Sequence, residues 1–220
     1  MCGWAALATF DRVPEPGVGT TARGRSESSS QNGAATHLMS GEAPVGRRQA
    51  MGEIQIREVL PGEYEDAGSL TRRAYAEYAR PGDPLWENYF GMLADVARRA
   101  AFATVLVAVA GERIVGTATV ELDRTIEGTG DVHPGQANFR LLAVDPGARG
   151  RGVGRRLVEE CVQVARRAGK EAATLHTAQQ MVAAQRIYRS LGFRRDPSRD
   201  VELHPDLVLQ AFRLPLRSLD

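Results

Sequence analysis

The stretch FRLLAVDPGARGRGVGRR, Phe139 to Arg156, decides how the chain is read. Its apolar start, Leu141-Leu142-Ala143-Val144, has the character of a buried strand and stops at Asp145-Pro146. After a short turn rich in glycine and arginine, an amphipathic helical pattern begins near Val153. Strand, glycine-rich loop and helix start in that order aim several main-chain N–H groups at one point, where the helix dipole also favours negative charge. An anion belongs there, most simply a phosphate. Gly152 and Gly154 let the backbone approach it without Cβ atoms in the way.

Working outward, Leu157, Val158, Cys161, Val164, Ala165 and Ala168 continue one helix face, with Gly169 placed to cap its end. Cys161 on that face reads as a core thiol rather than a reactive one. Ala172 to Thr177 predicts a strand, Gln179 to Leu191 a helix stopped at Gly192, and Phe193 and Leu207 to Leu214 two further strands. Upstream, Ile54, Ile56 and Val59 have strand spacing, and a helix runs from Pro61-Gly62-Glu63 to about Tyr78. A second helix is expected from Leu85 to about Ala100, carrying Trp86, Tyr89, Phe90, Leu93 and Val96 on one stripe. Thr104 to Ala110 and Arg113 to Leu122 flank Gly111-Glu112 as a β-hairpin, and Asp123 to Gln136 is a loop. This order is α/β, and the hairpin within it argues against an all-parallel doubly wound sheet.

The bulk properties narrow the function classes. The chain of 220 residues carries 28 basic and 27 acidic side chains, a formal net charge of +1, so no global field favours nucleic acid or an anionic membrane surface. Of the basic residues only Lys170 is lysine. Two cysteines, Cys2 and Cys161, do not make a disulfide framework, and no run is long enough to cross a bilayer. A soluble protein of the cytoplasm is expected. Residues 1–50, rich in Gly, Ser, Thr, Pro and Arg, predict a disordered N-terminal tail, or an extension ahead of a true start at Met51. Residues 51–220 then form one domain.

Three phosphate loops can be tested against the glycines. A nucleotide P-loop needs a lysine and a hydroxyl where this chain has Val153-Gly154. A dinucleotide fingerprint needs a different glycine spacing and an acid after the next strand, which ends at Thr177 without one. R-x-x-G-x-G fits, with Arg149, Gly152 and Gly154 directly after the strand and before the helix. Some thirty residues on comes Ala184-x-x-Ile187-Tyr188-x-x-Leu191-Gly192-Phe193. In these two motifs, in this order, the chain resembles the GCN5-related N-acetyltransferase (GNAT) superfamily.

The resemblance implies a GNAT fold: a mixed, mostly antiparallel sheet of about six to seven strands with a splayed parallel pair, flanked by about four helices. It implies acetyl-CoA as co-substrate and no metal. The main chain of Leu142, Ala143 and Val144 would pair with the pantetheine arm, while Arg149, Gly150, Arg151, Gly152, Val153, Gly154 and Arg155 would hold the pyrophosphate. A solvated basic face is the other reading of Arg149, Arg151, Arg155 and Arg156. Tyr188 matches the family's general acid, which protonates the thiolate expelled from a tetrahedral intermediate; a half-buried structural tyrosine is the alternative. For the base, His176 stands where some relatives carry a glutamate, and Glu121 and Asp123 compete with it. Met181 replaces an asparagine that often contacts the cofactor, so Gln179 or Gln180 would substitute, or Met181 shapes the acyl pocket. The implied activity is N-acetyl transfer to a primary amine, in a monomer or homodimer, with a non-catalytic acyl-CoA-binding regulatory module as the alternative. Tyr75, Tyr78, Trp86, Tyr89 and Phe90 either pack as core or line an acceptor pocket, and packing is the expectation.

Overall fold

The computed structural model describes residues 53–79, 84–125, 132–204 and 207–216. The expected tail, residues 1–50, lies outside them. Among the described residues eight strands form one sheet: β1 (Ile54–Glu58), β2 (Thr104–Ala110), β3 (Arg113–Glu121), β4 (Gln136–Val144), β5 (Ala172–Ala178), β6 (Arg194–Arg195), β7 (Val201–His204) and β8 (Leu207–Pro215). Their order is β1-β2-β3-β4-β5-β8-β6, with β7 also on β8. Every pair is antiparallel except β4–β5. The helices are α1 (Tyr64–Tyr75), α2 (Pro84–Ala94), α3 (Val96–Ala100), α4 (Val153–Arg167) and α5 (Val182–Ser190).

The mixed sheet with one parallel pair is the architecture the sequence implied, and the differences lie in the count. The second helix is two, because Asp95 leaves helical geometry and its carboxylate accepts the Arg98 N–H at 3.0 Å. A short acceptor of this kind favours a helix start over a helix interior. The first helix begins and ends in single 3₁₀ turns, Pro61–Glu63 and Ala76–Tyr78. β7 went unread because Arg-Asp-Val-Glu-Leu-His lacks an apolar run. It exists because Asp200 is fixed just before it: its carboxylate takes both guanidinium nitrogens of Arg195 at 2.8 Å and the Ala211 N–H at 2.8 Å.

Two apolar layers sandwich the sheet. α4 buries Val153, Leu157, Val158, Cys161, Val162 and Ala165 on one side, a spacing that puts them on one helix face. Burial raises the Cys161 thiol well above its usual pKa, in keeping with a core residue. The helix ends as expected at Gly169, whose φ of +69° allows the Gly169 N–H to reach Arg166 O and the Lys170 N–H to reach Ala165 O. Lys170 itself is buried, donating to Asp123 at 3.0 Å and to the Pro134 carbonyl at 3.1 Å, so it ties together the two ends of the long loop before β4.

On the other side α1 and α3 cover Val105, Val107 and Val109 of β2 with Ala67 and Val96. α1 approaches α2 closely at Gly68, where a Cβ would collide with the carbonyl of Ala94. Gly68→Ala should therefore lower stability by about 1–3 kcal/mol in denaturant unfolding, the usual cost of overpacking. Gly62→Ala, at a position with no atom within 4 Å of a Cβ, should change it little.

Candidate active site

β4 and β5 pair only from Gln136 opposite Ala172 to Phe139 opposite Leu175. β4 continues to Val144 and β5 to Ala178, so the two strands part beyond Phe139. The cause lies within β4. Thr117 of β3 faces Ala143 and Thr119 faces Arg140, so two β4 residues, Leu141 and Leu142, oppose Ala118 alone. Leu141 has φ +53°, a region costly for any residue with a Cβ. The bulge is held because Leu141 packs on Leu93 of α2, while Leu142 packs on the core on the α4 side. Such an extra residue bends its strand. Beyond the bulge, the β5-facing edge of Leu142, Ala143 and Val144 has no partner strand among the described residues, the position at which an extended chain can add.

The loop after β4 turns tightly into the start of α4. Asp145 accepts the Gly147 N–H at 2.9 Å in a 3₁₀ turn, and Gly150 and Gly152 adopt φ +75° and +79° with nothing within 4 Å of a Cβ. The first helical bond of α4 runs from Arg156 N–H to Gly152 O at 3.0 Å, leaving the N–H groups of Val153, Gly154 and Arg155 without helical acceptors. Gly154 has a packing role: a Cβ there would lie 3.2 Å from Ile187 and 3.4 Å from Val144.

The arginines divide. Arg149 pairs with Glu77 at 2.8 Å and reaches the carbonyls of Val144 and Ala74 at 3.4 Å, clamping the end of α1 onto β4 and holding Glu77 below the usual carboxylate range. Arg155 joins Glu159 at 2.9 Å and Ser190 at 3.0 Å, tying α4 to α5. Arg151 is half-buried in the loop and Arg156 is exposed in the first turn of α4.

A cleft opens where the strands part, lined by Tyr75, Tyr89, Arg140, His176, Met181 and Leu209 among others. His176 Nε2 lies 2.9 Å from the Arg199 carbonyl, so Nε2 carries the proton and Nδ1 is left as acceptor. Burial lowers the imidazole pKa below its usual 6.5, which keeps the ring neutral near pH 7. Glu121 is fully buried, accepting from Asn138 at 2.6 Å and Arg140 at 3.2 Å, and Asp123 is taken by Lys170. Tyr188 lies in the core on the α4 side, 6% exposed, its ring centroid 5.9 Å from Phe193 and 6.1 Å from Phe212. Burial raises its pKa, so the phenol is protonated. Gln185 fixes the start of α5 on β5 through the carbonyls of Ala178 and Gln179, at 3.2 and 3.1 Å, while Gln179 and Gln180 are exposed.

Tyr75 and Tyr89 pack on the apolar cluster of Leu93 and Leu141, as expected, and also line the cleft. Asn138, Arg140 and Thr177 line it too and went unread. Arg140 left one signal, a charge inside an otherwise apolar strand.

Residues 64–193 match the sequence profile of the Acetyltransferase (GNAT) family. The chain belongs to that family. Acetyl transfer is the family's chemistry. No curated protein matches the chain significantly. Among solved structures, yncA of Salmonella typhimurium, determined with acetyl-CoA, is 23% identical at a TM-score of 0.55, covering 77% of this chain and 97% of its own. A GNAT acetyltransferase of Brucella melitensis, also with acetyl-CoA, is 21% identical at 0.51, covering 76% and 90%. The paia N-acetyltransferase of Thermoplasma acidophilum, with coenzyme A, is 15% identical at 0.55, covering 72% and 98%. These likenesses show the GNAT fold. Among the described residues no helix is long and apolar enough to cross a membrane.

His176 should titrate below 6.5 in a histidine NMR series. Because its folded pKa is depressed, the unfolded chain binds the extra proton first, so the protein should lose stability as pH falls below about 6.5. His176→Gln should remove that part of the pH dependence.

Proposed function

We propose that this GNAT protein is an N-acetyltransferase that moves an acetyl group from acetyl-CoA directly to a primary amine, acting within one domain, residues 51–220, in the cytoplasm. The observation that carries this reading is the parting of β4 and β5 beside the glycine-rich start of α4. The residues present fit the co-substrate. An open main-chain edge at Leu142 to Val144 suits the pantetheine amides, and Gly150 to Arg155 offer N–H groups with no Cβ obstruction at the two left-handed glycines. Since Arg149 and Arg155 are held in ion pairs, main-chain donors carry most of the phosphate binding in this reading.

Bound acetyl-CoA supplies a thioester carbonyl as electrophile. The amine must first lose a proton, and neutral His176, a residue of the cleft wall whose Nδ1 is left as acceptor, takes it directly or through water. The amine nitrogen then bonds to the carbonyl carbon, the C–S bond breaks, Tyr188 gives its phenolic proton to the departing sulfur, and the second proton shed by the new amide nitrogen restores the phenol, directly or through water. A phenol whose pKa is raised by burial stays protonated until that moment. Met181, on the cleft wall where an asparagine is common, shapes the acyl end of the site.

Three outcomes are expected from thiol-release assays with acetyl-CoA and a panel of amines. Tyr188→Phe should lower kcat about 100-fold or more with little change in KM, the usual worth of a positioned acid; turnover near wild type would remove the acid role. His176→Ala should flatten the acid limb of the kcat/KM profile. Gly152→Ala should raise the KM for acetyl-CoA about tenfold, since alanine resists the +79° φ. Thiol release no faster than buffer across the whole panel would leave a non-catalytic acyl-CoA-binding module as the reading.

A further inference from the structure

The walls of the cleft differ in chemistry. Phe139 and Leu175 belong to the core on the α4 side, so by strand alternation their neighbours Arg140 and His176 face the side covered by α1 and α2. Tyr75 of α1 and Tyr89 of α2 stand on that side, meet edge to face with ring centroids 6.2 Å apart, and pack against Leu93 and Leu141. Both line the cleft, together with Met181 and with Leu209 of β8. The wall that shares the opening with His176 is therefore aromatic and apolar.

The carboxylates nearby are already taken. Among the described residues, those that line the cleft, or the polar hollow continuous with it through Asn138, Arg140 and His176, are Glu121 and Asp196. Glu121 is fully buried and accepts from Asn138 at 2.6 Å and from Arg140 at 3.2 Å. Asp196 accepts from the Ser198 hydroxyl at 2.6 Å and lies 3.8 Å from Arg199 Nε. A second ammonium on the acceptor would leave water and find each of these carboxylates held by the chain's own donors, a costly placement. An acceptor with one amine on an apolar body fares better. Its carbon skeleton leaves water against the tyrosines, and apolar surroundings favour the neutral amine, the form that reacts, over the ammonium.

We infer that the acceptor is a monoamine with an apolar, aromatic body, seated against Tyr75 and Tyr89 with its nitrogen at His176, and that the site discriminates against polyamines. This rests on the cleft being the transfer site. The edge-to-face pair of tyrosines offers a further ring a face or an edge to pack on, which an alkyl chain uses less well.

The test uses matched probes that differ by one ammonium: butylamine against its terminal diamine, and benzylamine against its para-aminomethyl derivative. In NMR titrations of the CoA-loaded protein each monoamine should bind at least about tenfold more tightly than its diamine, and benzylamine more tightly than butylamine. Tyr89→Ser should weaken benzylamine about fivefold or more. Met181→Glu, which adds a carboxylate at a half-buried position of the wall, should bring the monoamine-to-diamine ratio within about twofold or reverse it. Diamines that bind as well as their monoamines overturn the proposal, as does an unaltered ratio in a folded Met181→Glu. Should Met181→Glu fail to fold, the wild-type pairs and Tyr89→Ser still decide it. A preference for butyryl-CoA over acetyl-CoA that Tyr89→Ser abolishes also overturns it, since the wall would then hold a longer acyl chain. Thiol release from acetyl-CoA is read in parallel. Release without monoamine preference overturns only the acceptor assignment, and monoamine preference without release overturns only the catalytic reading.

Discussion

Everything at this site depends on β4 failing to stay beside β5. A parallel pair would extend its hydrogen bonds along both strands if the backbones remained in register. The extra residue at Leu141–Leu142 prevents this by bending β4 away from that register, and Leu141 is held at an unfavourable φ by burial against Leu93. The strain and the opening are one feature. Because the β3 side of β4 remains paired through Ala143 and Val144, the strand that lines the gap is rigid on one edge and open on the other.

Much of this was legible in the chain. The Phe139–Arg156 stretch reads as strand, loop and helix because each part carries a strong local signal: an apolar run, left-handed glycines, and a 3.6-residue apolar period. Gly169 as a cap and Cys161 as core follow from the same periodicity. The bulge was not legible, because Leu141 is a residue that ordinarily avoids its observed conformation, and only the tertiary packing of α2 keeps it there. Nor was the break at Asp95, where one side-chain hydrogen bond outweighs the continuous apolar stripe.

The cleft was harder still, for a physical reason: its lining comes mainly from α1, α2, β4, β5 and β8, and no local pattern links them. Arg99 in Val-Ala-Arg-Arg-Ala looks like a solvated charge beside Arg98, yet one is exposed and the other buried. Arg149 shows the converse. It belongs to the motif that suggests phosphate binding, but its side chain locks the end of α1 to the loop through Glu77 and the Ala74 carbonyl.

Lys170 has a chemical consequence of its own. It is the chain's one lysine, and its amine is buried between Asp123 and the Pro134 carbonyl. Thioesters acylate free amines slowly without any enzyme, and guanidinium groups are inert to them under the same conditions. A family member whose surface cations are all arginine therefore exposes no lysine nucleophile to its own donor. Its folded surface resists the self-modification that a lysine-rich protein would accumulate while handling an activated acyl group.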